Sequence, residues 1–76
     1  MNEMQISLAG PAEALDFVSQ VEKYPYNMDL CCGSAVVDAK SILGILYLGF
    51  DHVVVLRVYA EECGALRHDI EKYLAA

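Results

Sequence analysis

The chain has 76 residues, with 5 Lys and Arg against 11 Asp and Glu, a formal net charge of −6 and 57% hydrophobic content. That length fits one domain over residues 1–76 with a closely packed core, and the apolar fraction excludes a disordered chain. The acidity argues against nucleic acid and against an anionic membrane surface, both of which are held by Lys and Arg.

Met4, Ile6 and Leu8 alternate with Gln5 and Ser7, the period-2 pattern of a half-buried strand. Ala9-Gly10-Pro11 breaks it, and Pro11 suits the first position of a helix. Ala14, Phe17, Val18 and Val21 then mark one apolar helical face that ends near Lys23. Tyr24-Pro25-Tyr26 stops the helix, because the residue before a proline disfavours the α region. Asn27 to Cys32 reads as a strand, Gly33-Ser34 as a two-residue hairpin turn, and Ala35 to Asp38 as the returning strand. Ser41 is a good N-cap for a short helix over Ile42 to Leu48, and Gly49 is placed to close it in a left-handed conformation. The β-branched run within Val53 to Tyr59 predicts a central strand. Leu66, Ile70, Tyr73 and Leu74 give a final helix, beginning near Glu62, its apolar stripe.

The order βαββαβα favours an α+β fold with three helices on one face of a four-stranded antiparallel sheet, an open-faced sandwich. Cys31, Cys32 and Cys63 are odd in number and lack zinc-ligand spacing, so they read as free, small, buried hydrophobes in a reducing cytoplasm. The N-terminal residues lack the apolar run of a signal peptide. The longest apolar stretch, around Ile42 to Phe50, is far too short to span a bilayer. No Gly-rich phosphate loop and no carboxylate pair spaced for acid–base work stands out, so neither an enzyme nor a cofactor or metal is expected. Glu13, Asp16 and Glu22 read as a solvated helix face.

The stretch from Val37 to Gly49, VDAKSILGILYLG, resembles the regulatory-serine region of the HPr family, the histidine-containing phosphocarriers of the bacterial sugar phosphotransferase system, which typically reads V-N-A-K-S-I-M-G-L-M-x-L-G. The resemblance runs without gaps from about Ala14 to the last helix. It implies the HPr-like open-faced β-sandwich, ATP-dependent phosphorylation of Ser41 by HPr kinase/phosphorylase, and a partner surface on the Ser41 helix that docks enzymes and transcriptional regulators, with Lys40, Ile42, Leu43 and Tyr47 as its residues here.

The resemblance fails at the first strand–helix junction. There the family carries HxRP, whose His accepts the phosphoryl group and whose Arg steadies it. In this chain those positions fall on Gly10, Ala12 and Glu13. Phosphoryl transfer needs a nucleophilic imidazole with donors around the charge, and Glu13 would repel a phosphate. The expected function is therefore a non-catalytic regulatory or binding domain acting through the Ser41 helix, similar to the catabolite-repression HPr homologue, which keeps the serine and has lost the histidine. Two rival readings stand beside it. One is a phosphocarrier whose acceptor has moved to His52 or His68, in a cleft beside Arg57 or Arg67. The other is a structural module whose apolar helix is buried in a homodimer.

Overall fold

A computed structural model describes residues 1–75. Strand β1 (Asn2–Ile6) leads into helix α1 (Pro11–Val21), followed by the hairpin β2 (Met28–Cys32) and β3 (Ala35–Asp38), helix α2 (Ile42–Leu48), strand β4 (Val54–Val58), helix α3 (Gly64–Asp69) and a 3₁₀ turn (Glu71–Tyr73). The sheet order is β1-β4-β2-β3 and every pairing is antiparallel. This is the expected α+β open sheet with three helices.

Alternation within the strands decides which side of the sheet is covered. Met4, Ile6, Met28, Leu30, Val54, Leu56 and Val58 are all buried and face the helices. They meet Ala14, Phe17 and Val21 of α1, Ile45 of α2, and Leu66, Ile70 and Tyr73 of the C-terminal segment in one core. Phe17 and Tyr73 pack edge to face with ring centroids 6.1 Å apart. The continuous apolar run of β4 does mark a central strand, as expected, but only one of its faces is covered. Val53 is 52% exposed on the other side.

Three local expectations shift. Leu8 is buried with Met4 and Ile6 as the alternation predicts, yet β1 ends at Ile6, where its ladder with β4 ends at Val54. The Leu8 carbonyl instead accepts from the Asp51 amide at 2.9 Å. The single final helix is in fact broken at Ile70, whose backbone (φ −108°, ψ 14°) leaves the helical region. The chain then turns to the free edge of β1: Ser7 N–H donates to Tyr73 O at 2.9 Å, and Ala75 N–H donates to Gln5 O at 2.8 Å. The edge strand's unpaired groups are satisfied that way, which a longer helix could not do. Gly49 adopts a positive φ of 85° as a helix-closing glycine, though with an extended ψ of −173° in place of the left-handed α value.

Among the described residues, no helix is long and apolar enough to cross a membrane, and no three His, Cys, Asp or Glu side chains are grouped to hold a metal ion.

Candidate functional site

The β3–α2 connection builds the serine site from the backbone outwards. Asp38 Oδ1 accepts from the Lys40 amide at 2.9 Å, and Asp38 O accepts from the Ser41 amide at 3.0 Å. The turn so formed holds Ser41 in an extended conformation (φ −104°, ψ 114°), from which its Oγ accepts the Gly44 N–H at 3.2 Å. Ser41 is thus the N-cap the sequence predicts. Its side chain is half-buried.

Lys40 is turned inward on its own chain. Its Nζ donates to the Tyr24 carbonyl at 2.7 Å, tying the turn after α1 to the turn before α2. Of the proposed partner-binding residues, Lys40 therefore has one of its three ammonium donors engaged within the chain. Ile42 also differs from a free surface residue, being half-buried and packed on the core beside the buried Ile45. Leu43 and Tyr47 do stand in water, at 76% and 78% exposure, one helical turn apart. Leu46, at 45%, joins them and was not singled out from the sequence.

α2 carries two apolar stripes, Ile42/Ile45/Leu48 and Leu43/Leu46/Tyr47, and helical spacing alone cannot choose between them. Gly44 chooses. A Cβ at Gly44 would lie 2.9 Å from Val37 Cβ and 3.2 Å from Val37 Cγ2, so only a glycine lets α2 sit this closely on β3. That approach turns the first stripe inward and leaves the second outside.

Residues 9–13 at the β1–α1 junction include no histidine or arginine. Gly10 is the N-cap of α1, Pro11 and Ala12 are exposed, and Glu13 Oε1 accepts the Ala9 N–H at 2.8 Å. Glu13 thus places the chain's own carboxylate at the positive end of α1. It is a backbone acceptor, not a freely solvated side chain.

Asp16 also departs from the solvated-face reading. It accepts from Tyr73 OH and pairs with Lys72 Nζ at 3.2 Å. One turn past α1, Tyr24 OH donates to Asp69 at 2.5 Å, and Lys23 Nζ lies 3.4 Å from the same carboxylate. The two clamps fasten α1 to the C-terminal segment. Partners 57 and 45 residues apart leave no local signal in the sequence. The tyrosine bonds, followed by the lysines, hold Asp16 and Asp69 below the usual carboxylate range. Tyr73 is pushed up to about 12 by burial and then by its bond to Asp16, and Tyr24 to about 12 mainly by its bond to Asp69.

His68 directly follows Arg67 on α3, and neither histidine is drawn into a cleft with an arginine. His68 is exposed on α3, and Arg57 pairs with Glu3 across the strands at 3.1 Å. Two surface clefts are lined by Asn27, Met28, Asp29, Asp38, Lys40 and Tyr59, and by Glu3, Met4, Gln5, Arg67, Leu74 and Ala75. Neither has a histidine in its wall. His52 is half-buried after α2, with its Nε2 2.9 Å from Leu48 O.

Neither a scan against protein-family models nor a sequence search of curated proteins gives a match. Solved structures do. The chain is similar to HPr-C-His from Thermoanaerobacter tengcongensis, with a TM-score of 0.79 and 24% identity over 95% of this chain and 89% of that one. It is also similar to a phosphocarrier protein HPr from Bacillus anthracis str. Ames, with a TM-score of 0.70 and 22% identity over 97% of this chain and 94% of that one. At such identities the likeness is one of fold, and the fold is HPr-like.

Proposed function

We propose that this domain is a non-catalytic, HPr-like regulatory or binding module that acts through α2 and does not carry phosphate on histidine. The observation that carries the reading is the pair Leu43 and Tyr47, large apolar side chains left in water beside the Ser41 cap. Folding gains nothing from their exposure, and apolar side chains grouped on a surface are the usual mark of a contact with another protein. The occupied α1 N-terminus supports the other half of the reading. A phosphoryl group there would meet Glu13 and find no cationic side chain.

Ser41 is the acceptor this reading assigns to HPr kinase/phosphorylase. Its Oγ already faces the Gly44 N–H, and a phosphoryl oxygen can accept that same donor, so the helix cap survives modification. The added charge, about −1.5 to −2 at pH 7, then sits at the positive end of α2 and beside Leu43, where it alters what the apolar patch can bind. A transcriptional regulator is the partner class the family resemblance suggests. The three free thiols are compatible with a cytoplasmic setting.

The test is a pair of labelling reactions. With ATP and HPr kinase, label is expected on the wild-type protein and not on Ser41→Ala. With phosphoenolpyruvate and enzyme I, no label is expected on either. Stoichiometric labelling from phosphoenolpyruvate would overturn the proposal.

A further inference from the structure

At the opposite end of α2 from Ser41 lies a side-chain pair that the docking surface does not use. Cys32 ends β2 and His52 follows α2, and Cys32 Sγ is 3.8 Å from His52 Nδ1. The other ring nitrogen, Nε2, faces the Leu48 carbonyl oxygen at 2.9 Å. A carbonyl can only accept, so in the neutral ring Nε2 carries the hydrogen and Nδ1 keeps its lone pair towards the thiol. A nucleophile, a base within reach of it and a third group orienting the base are the parts of an activated thiol.

Access fits as well. Both residues are half-buried, Cys32 resting against the core without being enclosed by it. Gly33 and Ser34 beside Cys32 are exposed, and apart from Gly33 and its two chain neighbours no residue comes within 4 Å of where a Gly33 side chain would begin.

We propose that Cys32 and His52 form a reactive thiol–imidazole pair at which small disulfides exchange onto Cys32. His52 Nδ1 takes the proton from Cys32 as its sulfur attacks one sulfur of the incoming disulfide. The new S–S bond forms as the old one breaks, and the leaving thiolate takes the proton back from His52. The products are Cys32 in a mixed disulfide and one free thiol, so electrons and protons balance with no further reactant. Strand alternation puts the neighbouring Cys31 on the other face of the sheet. Cys63 follows the Val58 end of β4, which pairs with Met28 at the far end of β2. Neither thiol stands beside Cys32 to displace the bound group, so the mixed disulfide persists.

The experiment is exposure of the intact protein to oxidised glutathione at neutral pH, with the rate at each cysteine read by peptide mass spectrometry. Cys32 is expected to be modified at least about tenfold faster than Cys31 or Cys63, a threshold set below the roughly 100-fold low end of what a positioned base supplies. In His52→Gln, whose amide can still donate to the Leu48 carbonyl, the Cys32 rate is expected to fall by a similar factor. Modification of Cys31 or Cys63 ahead of Cys32, or a folded His52→Gln protein with an unchanged Cys32 rate, overturns the proposal. If His52→Gln does not fold, the ranking of the three thiols in the unaltered protein decides alone.

Discussion

Replacing Gly44 by alanine sets helix propensity against packing in a way that tests where α2 is seated. In a solvated helix the change stabilises by about 1 kcal/mol, because glycine is the poorer helix former by that amount. Here the new methyl would meet Val37 Cβ at 2.9 Å, Val37 Cγ2 at 3.2 Å and Asp38 O at 3.5 Å. The nearest of these is a β-carbon fixed to the strand, so no rotamer change relieves it, and either α2 or β3 must move. Overpacking of this kind costs about 1–3 kcal/mol. The expected net effect is a loss of about 1 kcal/mol, which lowers Tm by about 4–8 °C in a domain of this size. Urea unfolding followed by circular dichroism measures it. Val37→Ala in the Gly44→Ala background should recover only part of the loss, since it removes the Cγ2 contact and keeps the Cβ one. A Gly44→Ala protein more stable than wild type would refute the reasoning, because α2 could not then lie this closely on β3.

Ser41→Ala should cost about 1 kcal/mol by leaving the Gly44 N–H without its acceptor, and Ser41→Asp should keep most of it; thermal denaturation of the two separates them. Replacing Leu43 and Tyr47 together by serine should leave the unfolding midpoint within about 0.5 kcal/mol of wild type, whereas Ile45→Ala should cost about 2–5 kcal/mol. Comparable losses in both would mean that the exposed stripe of α2 has been misplaced. Asp16 and Asp69 titrate below their ordinary range when folded, so their stabilisation is present above about pH 4 and is lost as the pH falls through the lowered values. Urea midpoints measured from pH 6 down to pH 2 check this, and Asp16→Asn should flatten the slope. Tyr24 and Tyr73, raised to about 12, contribute stability that is full below about pH 10 and is lost as the pH rises through 12. Ultraviolet titration of Tyr24→Phe and Tyr73→Phe against wild type should each lose one late-ionising phenol, and a phenol lost near pH 10 instead would count against the clamps.

The parts of the site that were legible in the sequence are those whose cause is local. Ser41 as a cap and Gly33-Ser34 as a turn depend on residues within three or four positions, and both are found where the pattern puts them. The exposure of α2 was only half legible. Two apolar stripes share seven residues, and the pattern could not say that Ile42 goes inward or that Leu46 stays outside. Lys40 shows the same limit, because its reach to the Tyr24 carbonyl requires two turns, sixteen residues apart, to meet.

By itself the sequence determined the order of elements, the inward-facing residues of β1 and the capped start of α2. Each of these follows from side-chain period or from a single residue's backbone preference. Tertiary structure alone decided the rest. It seated α2 on β3 through the missing side chain of Gly44, broke the last helix at Ile70 to satisfy the edge of β1, and joined Asp16 to Tyr73 and Asp69 to Tyr24. It also brought Cys32 to His52. These are contacts between residues remote in the chain, and the energy that selects them exists only once the sheet has closed.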